Sequence, residues 1–371
     1  MVTAKQDWIA VANTVGPAFA ECAGKHDEGD EFVAHHYDAL KEHGLISAAV
    51  PEELGGGGAS LEDLCDMLRT LAHYCSSTAL ALSMHTHLVA VTAWRWRTQQ
   101  APVDGLLKRV AEERIVLVST GGSDWLDGSG KAEPAGGGYR ITGRKIFCSG
   151  SLAGTLLMTT AVEEKDGART VMHLPIGMAT EGVKIQDNWR TLGMRATGSH
   201  DVTLDNVFVA DAAVGLRRPA GEWHPFMHAV AMMALPIIYS VYVGIAEAAR
   251  DLAMQLASKK RDDALVQLQA GEVENQLTAA RIALRHMIDV GSTSQPGDDT
   301  TNRALVCRTL TARAALATVE KAFELSSGAA FYRSAGMERL FRDIQGARFH
   351  PVQEMPQRRY AGRLALGLPL Q

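Results

Sequence analysis

Cysteine is scarce in this chain of 371 residues and is spaced in no useful way. The five cysteines, Cys22, Cys65, Cys75, Cys148 and Cys307, form no CxxC pair and no metal-ligand spacing. That excludes a disulfide framework and a cysteine-based metal centre, and leaves buried thiols in a reducing compartment. No apolar run reaches the roughly 18 residues that a membrane span needs. Residues 229–245 come nearest, but they contain Ser240 and tyrosines and lead into a charged amphipathic segment, so they read as a core helix. The opening MVTAKQDWIA lacks the basic and apolar regions of a signal peptide, and the cytoplasm is the expected location. Positive charge is not in excess either. With 37 Lys and Arg against 42 Asp and Glu, the net charge of -5 gives no footprint for nucleic acid. The two signs are interspersed, as on a solvated surface.

What the chain does have is the balance of a globular protein, 46% hydrophobic and 21% charged, at a length that suits two or three domains. Three textures follow one another. Residues 1–112 read as a helical domain, with helices over 30–43, 60–75 and 78–97. Ser60 is an N-cap with Asp63 three residues on, a capping-box pattern, and Ser77 is placed to cap the third helix. Between the first two helices, Val50-Pro51-Glu52-Glu53-Leu54 and the glycines Gly55 to Gly58 must form a turn. Residues 113–216 switch to short β-prone runs at 114–120, 138–142, 145–148, 155–162, 170–175, 183–185 and 200–209, which predicts a β sandwich or barrel. Residues 217–371 return to long, alanine-rich helical patterns at 226–259, 266–290, 301–326 and 336–349, with a terminal piece after Pro356. They read as a bundle that also builds subunit contacts. The expected fold is mainly α with a central β domain.

Six blocks in this order resemble the acyl-CoA dehydrogenase superfamily. They are Leu40-Lys41-Glu42-His43-Gly44-Leu45 with Val50 to Gly56; Gly121-Gly122-Ser123-Asp124; Gly143 to Gly150; Leu192 to Ser199; Val207-Phe208-Val209; and Glu338-Arg339-Leu340-Phe341-Arg342-Asp343. The resemblance implies a flavin, FMN or FAD, between the β domain and a C-terminal four-helix bundle, in a homo-oligomer, dimer or tetramer. It places Ser119, Thr120 and Ser123 along the flavin-proximal loop, Phe147 against the ring and Ser149 near N5. Arg195 and Ser199 are candidates for a phosphate or the end of the substrate. Ordinary loop capping remains the alternative for Ser123 and Ser149, and bracing of the β turn for Arg195 and Ser199.

The dehydrogenase branch needs a carboxylate base to remove an α-proton from an acyl thioester. In register with Arg342-Asp343, that position holds Pro351. The family's other base position corresponds to Ala234. The Arg-Phe-Gly signature early in the second bundle helix is also missing, since Arg261 is followed by Asp262-Asp263. Instead, His350 stands where the superfamily's reduced-flavin monooxygenases, among them dibenzothiophene monooxygenase and the oxygenase of p-hydroxyphenylacetate hydroxylase, carry a histidine. The resemblance then implies O2 as a substrate, a C4a-hydroperoxyflavin guarded by His350 and Ser149, a separate flavin reductase and a small organic substrate. A helix-end histidine is the alternative for His350, and Glu354 is an alternative base in an acyl-CoA dehydrogenase reading. A flavin-free binding protein and an oxidase stay open. His85 and His87 on the third helix are spaced by two, so they are not a metal pair. His85 is the one placed nearer the substrate, with a core role as the alternative. Met232, Met233 and Trp223 read more simply as core, and no metal centre is expected.

Overall fold

A computed structural model gives the architecture, and it describes residues 6–120 and 124–370. Five helices come first: α1 (Trp8–Gly29), α2 (Ala34–Glu42), α3 (Leu61–Tyr74), α4 (Ser76–Gln99) and α5 (Asp104–Glu112). Eight strands follow among the described residues: β1 (Leu117–Ser119), β2 (Lys131–Ala135), β3 (Gly138–Lys145), β4 (Leu156–Lys165), β5 (Ala168–Gly177), β6 (Val183–Ile185), β7 (Val202–Ala210) and β8 (Leu216–Pro219). The chain ends in α6 (Pro225–Ala257), α7 (Ala264–Thr293), α8 (Asp298–Ser326), α9 (Met337–Asp343) and α10 (Glu354–Ala365).

The order is helices, sheet, helices. Helix α3 begins with the expected capping box: Ser60 Oγ accepts from Asp63 N at 3.2 Å while the Asp63 carboxylate accepts from Ser60 N at 2.9 Å. Ser77 does not cap α4. It lies inside the helix, whose N-cap position is Cys75 with no side-chain bond, because the turn opens two residues earlier than the sequence pattern implies. Helix α1, absent from the expected set, runs straight through Gly16 and Pro17 and buries Trp8, Ala12, Val15, Phe19 and Ala23 on one stripe. Gly16 is needed there, since a Cβ would lie 2.1 Å from the Tyr74 ring of α3.

The strands form one mixed sheet in the order β6-β7-β3-β2-β4-β5-β8, with β1 pairing β4 in parallel. The sheet has its own core of Ile141, Leu157, Met172, Val202 and their neighbours. Residues 138–142 and 145–148 are not two strands. One strand ends at Lys145, and the chain then turns through Phe147 at φ 55° and Gly150 at φ 70°. Strand β8 carries the sheet on to Pro219. Helix α6 is buried along nearly its whole length between α3, α4, α7 and α8. It is the one helix among the described residues long and apolar enough to cross a membrane, and 89% of that window is buried inside the protein. All five cysteines are free, and four are buried.

Candidate active site

Two cavities lie where the sheet meets the helices, and they share His87, Ser119, Thr120, Trp125 and Val230 as a common wall. The first, of about 420 Å³, is bounded by the turn after β3, the loop before β7, α4, α6 and the segment after α9. Its wall is largely apolar, with Leu80, Met84 and Ile238 on one side and Phe147 and Trp189, in edge contact at 5.7 Å, on the other. Such a slot suits a flat heteroaromatic ring.

Ser149 stands in this wall at the head of a chain of hydroxyls. Thr197 Oγ1 donates to the Met194 carbonyl at 2.9 Å, which uses its one hydrogen. The 2.6 Å contact between Thr197 and Ser199 then needs Ser199 as donor, and the 2.8 Å contact between Ser199 and Ser149 needs Ser149 as donor. Ser149 Oγ is left with lone pairs only, so it meets a ligand as an acceptor. The carbonyl that anchors the chain is itself fixed. Met194 N donates at 2.6 Å to Asp343, only 2 % exposed, whose carboxyl burial pushes up to about 6. Gly193 allows this approach, because a Cβ there would sit 2.2 Å from the Arg342 carbonyl.

His350 lines the same cavity. Its Nε2 lies 2.5 Å from the Tyr242 hydroxyl. Burial, the Arg308 guanidinium and His87 hold it down to about 3, so the ring is neutral at ordinary pH. Arg308 also ties down the backbone, donating to the His350 carbonyl at 2.7 Å. Tyr242 is fully buried and its phenol is held well above the ordinary range by burial, so it keeps its proton. That O–H has no other acceptor among the described residues, so it donates to Nε2. The imidazole hydrogen therefore sits on Nδ1, which has no protein partner among the described residues.

The second cavity, of about 500 Å³, opens between α4, α5, the β4–β5 face and the start of α6. Arg95 lines it with its guanidinium 5.4 Å over the Phe226 ring. Burial pushes the Arg95 pKa down, and no carboxylate pairs with it among the described residues. Asp124, the one carboxylate lining either cavity among those residues, is bound to Lys145 Nζ at 2.9 Å and to Thr120 Oγ1 at 2.6 Å.

The structure thus brings Ser119, Thr120, Phe147, Ser149, Ser199 and His350 to one cavity. Ser123 lies outside the described residues. His85 does not reach either cavity: its Nε2 donates to the Ile46 carbonyl at 2.8 Å and its Nδ1 accepts from Leu117 N at 2.9 Å, a tie between α4 and β1. His87 faces both cavities instead, with Nδ1 donating to the Ser83 carbonyl at 3.1 Å. Arg195 is committed to Asp30 at 2.5 Å and lines neither cavity. Glu354 stands in the first turn of α10, lines neither cavity and is held in ion pairs with Arg313 and Arg358, so it is no displaced base. Pro351 and Ala234, the positions without a base, do line the first cavity. Sequence reasoning missed Tyr242, Thr197, Trp189, Arg95 and Arg308. Tyr242 and Arg308 act on partners distant in the chain, Thr197 matters only through the hydroxyl chain that reaches Ser149, and no local motif marks any of the five.

Matches to known proteins agree with this geometry. The chain matches the acyl-CoA dehydrogenase N-terminal domain over residues 10–102, the middle domain over 119–207 and the C-terminal domain over 237–354. It belongs to the acyl-CoA dehydrogenase superfamily. Among its relatives, the amino sugar nitrososynthase DnmZ of Streptomyces peucetius is 28% identical, over 95% of this chain and 91% of DnmZ. YdbM of Bacillus subtilis, whose name places it with the acyl-CoA dehydrogenases, is 26% identical over 94% of each chain. The solved structure of KijD3 with FMN and dTDP-3-amino-2,3,6-trideoxy-4-keto-3-methyl-D-glucose superimposes with a TM-score of 0.89 at 25% identity, covering 99% of this chain and 96% of that one.

Proposed function

We infer that this chain is a flavin-dependent monooxygenase that takes reduced FMN and O2 and passes one oxygen atom to a small organic substrate. The observation that carries this reading is the pairing, in one cavity, of an acceptor hydroxyl at Ser149 with a neutral imidazole whose Nδ1–H is free at His350. The cavity fits the ring of a reduced flavin, whose N–H is matched by a hydroxyl that can only accept. When bound, reduced flavin supplies the two electrons with which O2 is split between product and water.

The protein's own groups then have separate tasks. Ser149 orients the ring by accepting a hydrogen bond, and Ser199 and Thr197 keep that hydroxyl from turning round. His350 holds a proton at Nδ1 and can lend it to an oxygen in the cavity without carrying charge itself. Phe147, Trp189 and Met84 exclude water. Arg95 marks the substrate side: an unneutralised cation over an aromatic ring suits a substrate bearing a carboxylate or phosphate. The amino-group chemistry in the names of the nitrososynthase relatives makes an amine nitrogen the first acceptor to test. A separate reductase supplying reduced flavin belongs to this reading, and so does a homo-oligomer. Leu268 and Ile282 on α7 and Leu310 on α8 expose apolar surface of the kind subunit contacts bury.

The test is to mix protein and reduced FMN with oxygen in a stopped-flow spectrometer. A transient absorbance distinct from both reduced and oxidised flavin, lasting seconds and shortened in His350→Ala, is expected. Tight FAD that an acyl-CoA bleaches without oxygen would overturn the reading in favour of a dehydrogenase.

A further inference from the structure

Away from the cavities, three histidines meet where the last turn of α1 faces the first turn of α2. One ring nitrogen each from His26, His35 and His36 lies within 4.8 Å of the other two. The rings are in close contact, His35 edge-on to His36 with centroids 4.4 Å apart and tilted against His26 at 4.9 Å. Two of them are deeply buried, His36 at 1 % exposure and His26 at 8 %. Burial normally obliges a ring nitrogen to find a partner, yet His36 Nε2 and His26 Nδ1 have none.

The hydrogen bonds fix what His36 offers. Thr78 Oγ1 gives its hydrogen to Cys75 Sγ at 3.1 Å, so the 2.6 Å contact between Thr78 and His36 Nδ1 must run from the ring to the hydroxyl. With the hydrogen on Nδ1, Nε2 carries a buried lone pair that no protein group among the described residues uses. This is the arrangement by which proteins orient metal-ligating imidazoles, the far nitrogen held by an oxygen behind it. Phe19, stacked on His36 at 4.1 Å, keeps the ring from swinging away. Glu31, whose Oε2 is 3.8 Å from His26 Nδ1, supplies a carboxylate at the open side.

We propose that His26, His35 and His36, with Glu31 closing the set, bind one divalent transition-metal ion of the zinc class. Imidazole nitrogens with one carboxylate suit Zn2+, Co2+ and Ni2+, not the oxygen-seeking Mg2+ or Ca2+. Zinc–nitrogen bonds of about 2.1 Å place ligand nitrogens roughly 3.4 Å apart, so the rings must close by about an ångström. His35 is exposed and free to make most of that movement. The spacing His26, Glu31, His35, His36 differs from the cysteine patterns and from the His85–His87 pair that sequence reading considered, and it converges only because α1 and α2 fold back on each other. An ion here would clip the two helices together. It would also brace Asp27, which holds Arg342 of the first cavity's wall at 2.5 Å.

The test uses the full chain without added affinity histidines, stripped with EDTA and titrated with ZnCl2 by calorimetry and with CoCl2 by visible absorption. One equivalent binding with a Kd on the order of a micromolar or tighter is expected, together with the absorption of four-coordinate cobalt. Zinc at a hundred times Kd should raise Tm by roughly 3 to 5 °C. His35→Gln and His36→Gln should each weaken binding by roughly tenfold or more. His36 is buried and its replacement can disturb packing, so exposed His35 carries the decision. Absence of saturable zinc binding below a millimolar, or binding that His35→Gln leaves unchanged, overturns the proposal.

Discussion

The two cavities share a wall and differ in kind. In the first, the two groups assigned to the chemistry are neutral and already directed, Ser149 by a hydroxyl chain anchored on Met194 and His350 by Tyr242, and the Arg342 cation in the wall is paired with Asp27 and Glu338. In the second, Arg95 carries a charge that nothing on the protein side neutralises among the described residues. Neutral, pre-aligned groups suit a step in which a proton must be offered without a competing charge. An unpaired cation suits recognition, since its favourable interaction waits for the ligand. The difference assigns chemistry to one side of the Ser119–Thr120 wall and substrate binding to the other.

Acid should damage both sides together, and by the largest margin. Burial holds His350 and His173 down to about 3, and His85 and His87 to about 4. These groups bind protons more readily unfolded, so their stabilising contribution is whole above pH 6.5 and is lost as pH falls toward 4. Asp343, pushed up to about 6, works the other way over roughly the same window. For these five groups the net is a loss of about 4 kcal/mol per pH unit near pH 5, and urea midpoints between pH 7 and 5 would show it. A flat profile would mean that these rings are solvated in solution.

The substitutions then separate the cavities. His350→Ala should cut oxygenated product per flavin oxidised by on the order of 100-fold, the difference appearing as hydrogen peroxide in a coupled peroxidase assay. Ser149→Ala should lower the same yield by about 10-fold, the worth of one well-placed hydrogen bond. Arg95→Gln should raise KM by about 10-fold for an anionic substrate and leave the peroxide yield without substrate unchanged. If Arg95→Gln changed that yield instead, the division between the cavities would fail. Tyr242→Phe should have the smallest effect, about 3-fold on product yield, because it frees the tautomer of His350 without removing the ring.

Much of this was legible in the sequence where the signal is local. The capping box at Ser60 and Asp63 reads directly, and the buried helix around residues 229–245 follows from its apolar run. Helix α1 was not legible because Gly16, Pro17 and Gly24 obscure a stripe that packing against α3 rescues. Strands β2 and β8 escaped for a similar reason, their prolines and charges being tolerated by the sheet positions they take. His350 came within reach through family register, but its partner Tyr242 lies 108 residues away and no spacing reveals it. The choice between His85 and His87 turned on which helix face meets the cavity. A spacing of two guarantees different faces without saying which is which.

The central claim is that the first cavity shields an oxygen-derived species by neutral groups. The most direct measurement is the stopped-flow trace of protein and reduced FMN mixed with oxygen, with hydrogen peroxide counted at the end, for the native chain and for His350→Ala. The account requires a transient lasting seconds in the native chain and a markedly shorter one, with more peroxide, in the variant. Immediate reoxidation in both, with equal peroxide, would contradict it.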